Sequence, residues 1–509
     1  MNFVRRFSYT TRRFSICRWA SPARFGVYSR CDRQTRRRLG LKMRLLGVLT
    51  LGFAALISMG PVTGMAQVVA KGPLRVLASN PRYFTDGSGK AIYLTAAHTW
   101  SNFEDIGLTD PPPDFDFNRY LDFLTAHNYN YIRLWRWETP KDIEKDGIVR
   151  YSSPHPWMRT GSGLAWDGKP KFDLTAFNEE YFIRMRKRVE MARDRGFYVS
   201  IMLFNGWELQ FSNWTGHPFN AQNNINGIDG DPDKDGRGTE LETWPPPAGV
   251  EKIEKAYVRK VIDTVNDLDN VLYEISNESG PYSTDWQYDM IEYIRSYEAG
   301  KPKQHPVGMS FQYPGGSNST LFNSPADWIS PNSDSRTGTY NYRNNPPPGD
   351  GRKVVLSDTD HLWGNGGDRQ WAWNSFLRGL NPLYMDPYDA PPVWEKLLPN
   401  IEEVRRNLGY TRIYANEVNL AAMTPSLELS STGYCLANPG SEYLVYQPGT
   451  GAFTVDLPAG TYRYEWFNPV AGSKAGEGSV TAEGGRKSFA APFAGDAVLY
   501  LKIKTRSGT

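Results

Sequence analysis

Short apolar runs alternate with amphipathic segments between about residue 91 and residue 420. The runs predict buried strands, and apolar residues three or four positions apart between them predict helices. Eight runs are strand-like: Ile92–Thr95, Tyr131–Trp135, Phe197–Phe204, Val271–Ile275, Pro306–Phe311, Trp328–Ser330, Lys353–Ser357 and Pro382–Met385. Eight alternating units predict an α/β fold, a closed (β/α)8 TIM barrel with a parallel sheet. An open doubly wound sheet is less favoured, because no glycine-rich phosphate turn follows the first strand.

The pattern changes near residue 425, where apolar and polar residues begin to alternate with period two. Glycine and proline turns separate the alternating runs Tyr443–Tyr446, Phe453–Leu457, Tyr462–Trp466 and Ala497–Ile503. This pattern predicts a small β-sandwich after the barrel. We therefore expect three parts: a basic segment with a signal peptide at 1–66, the barrel at 67–424 and an accessory β-domain at 425–509.

The one long apolar run lies near the amino terminus, from Leu45 to Met59. Basic residues precede it and the small-residue site Gly64-Met65-Ala66 follows, which is typical of a secretory signal. Fifteen residues are too few to span a bilayer comfortably, so we expect a secreted or periplasmic protein without stable membrane insertion. An uncleaved anchor is the alternative. Because Met43 directly precedes the run, the true start is either Met1 or Met43.

The charge distribution argues against a nucleic-acid partner. The chain has 58 basic and 55 acidic residues, a formal charge of +3, but thirteen of the bases and one acid lie in residues 1–66. The remaining chain carries 45 basic and 54 acidic residues, a charge of about −9. A nucleic-acid-binding body would be basic, so we expect none. Composition gives no indication of the oligomeric state.

The end of the fourth predicted strand carries the strongest candidate for chemistry. Active sites of (β/α)8 barrels lie at the carboxyl ends of the strands. There the chain reads Ile275-Ser276-Asn277-Glu278. A partly desolvated carboxyl group at that position has a raised pKa and suits a general acid.

This Asn-Glu segment resembles the acid/base motif of the clan-A (β/α)8 glycoside hydrolases. The segments Arg82–Gly87 and Tyr93–Trp100 resemble the start of the apiosidase-like glycoside hydrolases in that clan. Residues 434–503 resemble the β-domain, named for collagen binding, that often follows them. The resemblance implies that Glu278 is the acid/base and that Asn277 binds the sugar 2-hydroxyl. It also implies a nucleophilic carboxylate at the end of the seventh strand.

The seventh strand departs from the clan pattern, because it contains no Glu. Asp358 and Asp360 stand there instead, and in an extended strand both would face the same side. Either could attack the anomeric carbon, and we favour Asp360 slightly. Carboxyl groups about 5–5.5 Å apart would retain the anomeric configuration, and a separation of roughly 6.5–9.5 Å would invert it. The alternative is that both aspartates have a structural role.

Polar and aromatic residues near the strand ends are candidates for substrate binding. An arginine that faces a barrel interior is costly unless paired, so Arg133 is expected to steady the nucleophile, bind substrate or form a remote ion pair. The two histidines near the first and seventh strands would bind hydroxyls, orient carboxylates or be structural. The candidate set is Asn277, His98, Arg133, Trp135, Trp137, Trp207, Trp214, His217, His361 and Trp363. The loop-like stretch 314–352 is expected to form a rim or lid.

A calcium-loop pattern, D-x-D-x-D-G-x5-E, is formed by Asp231, Asp233, Asp235 and Glu242. An EF-hand is disfavoured because Trp244–Pro247 follows instead of a helix. The pattern predicts a stand-alone structural calcium loop, with a solvated acidic loop as the alternative. No cofactor is expected for catalysis, although the Asp-x-Asp-His run at 358–361 also fits a zinc or manganese site.

These features together predict a secreted glycosidase that cleaves an oligo- or polysaccharide with two carboxylates, by a retaining mechanism. A non-catalytic carbohydrate-binding protein on an inactive barrel is the main alternative. A metal-dependent hydrolase is less favoured. The sequence does not indicate the sugar, the linkage, or endo or exo action.

Overall fold

An eight-stranded parallel sheet forms the centre of the computed structural model, which describes residues 69–143, 147–333, 340–388 and 399–504. The strands are β1 Ala96–His98, β2 Tyr131–Leu134, β3 Tyr198–Asn205, β4 Val271–Asn277, β5 Val307–Ser310, β6 Trp328–Ser330, β7 Val354–Asp358 and β8 Asn381–Met385. From β2 to β8 each strand pairs in parallel with the next along the chain, and β8 also pairs with β1. Between β1 and β2 the Asn130 N–H donates to the Thr95 carbonyl at 3.2 Å. The sheet therefore nearly closes, and the predicted TIM barrel is confirmed.

Helices surround this sheet and bury the apolar faces that their sequences present. They are α1 Phe117–Ala126, α2 Glu179–Asp194, α3 Val250–Val265, α4 Thr284–Glu298, α5 Asn318–Asn323, α6 Arg369–Leu377 and α7 Ile401–Glu417. In α1 the residues at helical spacing, Phe117, Tyr120, Leu121 and Leu124, are buried, and Asp116 caps the amino terminus. The described part of the β6–β7 connection contains no helix.

The first barrel strand begins later than its apolar run predicts. Residues 92–95 were expected to form it, whereas the strand spans Ala96–His98. Ile92 instead bridges Phe84 in the entry segment, and the Thr95 N–H is satisfied by the side-chain oxygen of Asn130. The start of the apolar run therefore pairs with the entry segment, and the residues after it pair with β8 as the first barrel strand.

Short strands lie outside the central sheet, most of them in the loops at the carboxyl ends of the barrel strands. The β2–α2 connection contains Lys141–Ile143, Val149–Ser153, Trp157–Leu164 and Pro170–Phe177, and Asp105–Gly107 pairs with the second of these. Arg75–Val76 pairs with Phe84–Thr85 before the barrel, and a short helix, Gly206–Phe211, follows β3. The β2–α2 connection is thus a structured wall beside the barrel opening.

The barrel interior changes character along its axis. A buried apolar cluster includes residues at the starts of strands, among them Tyr131, Trp328 and Val354. Polar and charged residues occupy the other end, where Asn277 and Asp358 are the last residues of β4 and β7. This arrangement places the chemistry at the carboxyl ends of the strands, as in other (β/α)8 barrels.

The carboxyl-terminal part is rich in antiparallel sheet, as predicted. Its strands are β9 Cys435–Asn438, β10 Glu442–Gln447, β11 Phe453–Leu457, β12 Gly460–Asn468, β13 Ser473–Ala482, β14 Gly485–Phe489 and β15 Ala497–Ile503. Thr424–Pro425 begins a six-stranded sheet that continues through β9, β10, β15, β12 and β13, while β11 pairs with β14. Buried residues of both sheets, including Val445, Val455 and Leu499, share one core.

An aromatic cluster joins this β-rich part to the outer helices α6 and α7. The Trp373 ring lies 5.9 Å from the Tyr414 ring and 6.0 Å from the Phe467 ring, all three being buried. Arg369 on α6 also pairs with Asp496, which is buried just before β15, at 2.9 Å. The sheet is therefore packed against the two helices that follow β7 and β8.

Of the described helices, none combines the length and apolar character required to cross a bilayer. The predicted signal segment at 1–66 lies outside the described residues.

Candidate active site

A cleft of about 660 Å³ opens at the carboxyl end of the barrel. Its volume is typical of a small-molecule site. Eight of the residues singled out in the sequence line it: Trp135, Trp137, Trp207, Asn277, Glu278, Asp360, His361 and Trp363. The structure thus brings the Asn-Glu motif and one of the two candidate aspartates into a single cavity.

Glu278 follows β4 directly and adopts an unusual backbone conformation. Its φ is +50°, in the left-handed region that residues other than glycine rarely adopt. The side-chain amide of Gln210 donates to the Glu278 carbonyl at 2.8 Å and to the Tyr313 carbonyl at 2.9 Å. Gln210 therefore ties the backbone of Glu278 to the rim of the cleft.

The environment of Glu278 favours its neutral form. Burial raises the pKa of this carboxyl group well above its ordinary value, and the negative charge of Asp360 raises it further. Arg133 opposes the shift in pKa but does not reverse it, and Asp358 contributes less than Asp360. A carboxyl group that stays protonated in a cleft can donate a proton to a leaving group.

The buried Arg133 connects the residues of the site. Its Nε and Nη2 donate to the two oxygens of Glu274 at 2.7 and 2.6 Å, a bidentate pair. Nη2 also donates to Asn277 Oδ1 at 2.6 Å, and Nη1 donates to Asp360 Oδ2 at 2.6 Å. One guanidinium thus contacts both the Asn-Glu motif on β4 and the aspartate after β7.

The two aspartates do not lie on one extended strand, so that expectation was wrong. Strand β7 ends at Asp358, and Thr359–His361 form a 3-10 turn. Asp358 accepts the backbone N–H of Asp360 at 3.0 Å, which initiates the turn. Asp360 lies within this turn and lines the cleft, whereas Asp358 does not line it.

Asp358 is held in an internal ion pair instead. Its Oδ1 lies 2.9 Å from His98 Nε2 and its Oδ2 lies 3.7 Å from Arg133 Nη1. Burial alone would raise the pKa of Asp358, but the neighbouring His98 and Arg133 hold the pKa well below its ordinary value. Asp358 is therefore a buried anion that supports Arg133 and His98.

The two candidate histidines support carboxylates and amides. His98 is fully buried and stacks on Trp135 with a centroid separation of 5.9 Å. His361 lies 2.7 Å from Ser330 Oγ through Nδ1, and its Nε2 lies 3.4 Å from Asn277 Oδ1 and 3.7 Å from Asp360 Oδ2. Burial lowers the pKa of His361, which favours the neutral imidazole.

The predicted tryptophans fall into two groups. Trp135, Trp137 and Trp363 line the cleft walls, and Trp207 stands at the rim with 38% of its surface exposed. The Trp207 ring lies within 16° of parallel to the Tyr313 ring, with centroids 6.3 Å apart. Aromatic faces at a cleft rim are suited to stacking on planar or weakly polar ligands.

Trp214 and His217 do not lie in the cleft. The two rings stack on each other at 4.8 Å and are buried, and His217 Nε2 lies 3.3 Å from Glu138 Oε2. Trp214 packs tightly against Gly230 and Gly238, where any side chain would meet the indole ring. The polar loop around them folds inward, which gives these residues a structural position.

The acidic loop gathers a different set of carboxylates from the one its spacing predicts. Oxygens of Asp231, Asp233 and Glu240 lie within 4.8 Å of one another. Thr239–Glu242 forms a 3-10 turn, and Glu242 is buried with Oε1 accepting from Ser276 Oγ at 2.6 Å. Among the described residues, Glu240 rather than Glu242 thus joins the cluster. The Asp235 N–H donates to Asp231 at 3.1 Å. A calcium ion at this loop stays a prediction.

Several site residues were missed in the sequence. Glu274 had a usable signal, because it is the one charged residue within the apolar run Val271–Ile275 and the interior Arg133 needed a counter-ion. Arg343 lies in the stretch 314–352 that was expected to form a rim, but nothing marked it within that stretch. Gln210 and Tyr313 had no signal, because their positions depend on how separate connections meet.

Comparisons with known proteins agree with this architecture. A family model described as a domain of unknown function, DUF6298, matches residues 149–313, a span that includes Glu278. No curated protein matches the chain. A solved structure described as a glycoside hydrolase is 13% identical with a TM-score of 0.53, covering 86% of this chain and 98% of its own. A family 5 glycoside hydrolase from Bacteroides vulgatus is 14% identical with a TM-score of 0.55, covering 86% and 96%.

At these identities the likeness shows the fold alone. The chain has the fold of glycoside hydrolases, an α/β barrel followed by a β-rich region.

Proposed function

We propose that this protein is a glycosidase in which Glu278 is the general acid/base and Asp360 is the nucleophile. The observation that carries the proposal is the presence of two carboxyl groups with different surroundings in one cleft. Glu278 has a raised pKa and Asp360 is bonded to the Arg133 guanidinium at 2.6 Å. Two carboxyl groups with these roles are what glycoside hydrolysis requires.

In the proposed reaction the two groups act on opposite sides of the glycosidic bond. Asp360 attacks the anomeric carbon while Glu278 donates its proton to the leaving oxygen, which yields a glycosyl-enzyme ester and a free alcohol. Glu278, now ionised, removes a proton from water, which attacks the anomeric carbon and releases Asp360. The anomeric configuration is retained overall.

Asp360 is a better nucleophile candidate than Asp358. Asp360 lines the cleft, whereas Asp358 is 1% exposed and paired with His98. The charge of Asp360 also affects the pKa of Glu278 more than the charge of Asp358 does. A nucleophile must reach the substrate, and a like charge that raises the pKa of the acid must lie near it.

The proposed substrate is an oligo- or polysaccharide. The aromatic walls, Trp135, Trp137, Trp207 and Trp363, offer faces on which sugar rings can stack. The signal-like segment at 1–66 supports export to the periplasm or the cell exterior, where such substrates are found. Membership of the apiosidase-like hydrolases and the collagen-binding label of the tail rest on sequence resemblance alone.

Chemical rescue tests the two roles separately. Asp360→Gly should abolish turnover of an activated aryl glycoside, and azide should restore it with formation of a glycosyl azide of inverted configuration. Glu278→Ala should retain glycosylation by aryl glycosides with good leaving groups, and azide should give a product of retained configuration. Proton NMR of the first product from the unmodified enzyme should show the same anomer as the substrate.

The matched control is Asp358→Asn, which keeps the size of the other aspartate. If azide rescues an Asp358→Gly protein and does not rescue Asp360→Gly, the nucleophile is Asp358 and not Asp360. If glycans bind and the unmodified protein turns over none of them, the protein is a carbohydrate-binding barrel. A measurable turnover that both Glu278→Ala and Asp360→Gly leave unchanged contradicts the two assignments.

A further inference from the structure

We propose that the substrate carries an anionic group, which Arg343 binds within the active-site cleft. This inference rests on the proposed glycosidase function and names the class of glycan that the site takes. It is drawn from the charges that line the cleft, where one arginine has no carboxylate partner among the residues that the structure describes.

Arg343 lines the same cleft as Glu278 and Asp360 but belongs to a different wall. It lies in the β6–β7 connection, and its guanidinium carbon is 5.7 Å from the centroid of the Trp363 ring. Arg343 makes no ion pair with a carboxylate of the described residues, and its buried Nε has no hydrogen-bond partner among them. A partly buried guanidinium in this state has donors available for a ligand.

The backbone around Arg343 holds it in place. Asn341 and Asn345 pair through their backbones at 2.9 and 3.2 Å, which closes a tight loop with Arg343 inside it. The side chain of Asn341 accepts the backbone N–H groups of Arg343 and Asn344 at 3.1 and 2.8 Å. Since the loop is braced from within, the arginine is presented to the cleft at a small entropic cost on binding.

The other arginines of the site are already matched. Arg150, which also lines the cleft, pairs with Asp142 at 2.8 Å. Arg133 is surrounded by Glu274, Asp358 and Asp360, so its neighbourhood is negative overall. An anion placed near Arg133 would be repelled, whereas an anion near Arg343 would be attracted. The negative group of the substrate is therefore expected beside Arg343 and Trp363.

The chemistry of the group follows from the guanidinium fork. Arginine binds planar carboxylates through two parallel hydrogen bonds, and it also binds sulfate and phosphate oxygens. In glycans these groups occur as the carboxylate of a uronic acid or as a sulfate ester. Trp363 would support the arginine from behind and stack on the same or the adjoining sugar ring.

The test compares glycans that differ only in charge. Reducing-end release is measured on polyuronic acids, on sulfated polysaccharides, and on the same materials after carboxyl reduction or desulfation. Arg343→Gln removes the charge and keeps hydrogen-bonding capacity. Arg352→Gln is the matched control, because Arg352 lies in the same connection, is 61% exposed in its side chain and pairs with Asp350 outside the cleft.

The unmodified enzyme should cleave an acidic glycan, and Arg343→Gln should lower kcat/KM on it by at least about tenfold. On the neutralised glycan the two proteins should agree within about twofold, and Arg352→Gln should match the unmodified enzyme throughout. Loss of activity only after carboxyl reduction identifies a uronic acid, and loss only after desulfation identifies a sulfate ester.

Binding to the Glu278→Gln protein, measured by calorimetry on oligosaccharides from the same glycans, separates the two proposals. Acidic oligosaccharides that bind through Arg343 without hydrolysis by the unmodified protein support this inference and contradict the glycosidase. Hydrolysis of an acidic glycan at a rate that Arg343→Gln leaves unchanged supports the glycosidase and overturns this inference. Failure to bind or cleave any member of the panel contradicts both.

Discussion

The guanidinium of Arg133 donates to Asp360 from the Nη1 atom at 2.6 Å while its other two nitrogens are bonded to Glu274. Because Glu274 is fully buried on β4, the guanidinium cannot rotate without breaking a bidentate pair. The position of Asp360 is therefore set by a residue four positions before Glu278. Strand β4 thus positions both groups: Glu278 follows it directly, and Glu274 on it holds the arginine that bonds Asp360.

Arg133→Lys should lower kcat by about tenfold to a hundredfold with a smaller change in KM. A lysine keeps the charge but cannot bond Glu274, Asn277 and Asp360 in one plane. Steady-state kinetics on an aryl glycoside and a thermal unfolding scan measure the effect. Arg195→Lys, an exposed pair with Asp122, is the control. An unchanged kcat would show that Arg133 does not position Asp360.

The raised pKa of Glu278 predicts the alkaline limb of the pH profile. The proton donor is lost as pH rises through the pKa of Glu278, so kcat/KM should fall at a pH well above the ordinary glutamate value of about 4.3. Glu278→Gln, assayed with an aryl glycoside whose leaving group needs no proton, should lack this limb. A limb that persists in Glu278→Gln would assign it to another group.

Gln210→Ala should lower kcat and leave KM within about twofold. The side chain bonds the carbonyl of Glu278, whose φ of +50° needs support, and it does not line the cleft. Gln222→Ala, an exposed glutamine, is the control. The alkaline pKa measured in the pH profile should also move in Gln210→Ala. A change in stability without a change in that pKa would indicate a purely structural role.

Trp207→Ala should weaken substrate binding, whereas Trp214→Ala should lower the stability of the fold. Trp207 is at the exposed rim of the cleft, so its loss should raise KM severalfold with little change in melting temperature. Trp214 is buried, and a large-to-small change there should destabilise the fold by about 3–5 kcal/mol. Denaturant unfolding and substrate-dependence curves measure the two. A raised KM for a folded Trp214→Ala protein would return that residue to the substrate site.

The calcium prediction is tested by chelation. If the loop binds calcium, added calcium at about 100 times its Kd should stabilise the fold by about 2.7 kcal/mol. Chelator should reverse this without altering activity at temperatures far below unfolding. Glu240→Gln should abolish the stabilisation, whereas Glu242→Gln should leave it, because Glu240 joins Asp231 and Asp233 and Glu242 is buried against Ser276. Equal melting temperatures with calcium and with chelator would show that the loop does not bind calcium.

The sequence predicts the barrel well because each strand is a compact apolar run. Seven of the eight runs coincide with strands to within a few residues, and the β4 run leads straight to Glu278. The spacing of apolar residues and the position along the chain suffice to place a side chain when its location depends only on its own strand. Arg133 was identified in the same way, because an interior arginine requires a counter-ion whatever the loops do.

Prediction failed where one hydrogen bond or one turn decides the outcome. The extended geometry expected for Asp358 and Asp360 gave way to a 3-10 turn, which the Asp358 side chain initiates. Likewise a single turn at Thr239–Glu242 exchanges Glu242 for Glu240 in the acidic cluster. Spacing in the sequence carries no information on such turns, because several short polar residues can form them equally well.

The aromatic junction between α6, α7 and the β-rich region affects how the chain can be divided. Trp373, Tyr414 and Phe467 bury one another, so a truncation near residue 424 would leave two large apolar rings on the barrel helices facing water. Here the tail completes the outer surface of the last two βα units. Domain exchange between this chain and another barrel would have to carry the facing surfaces of α6 and α7 together with the sheet.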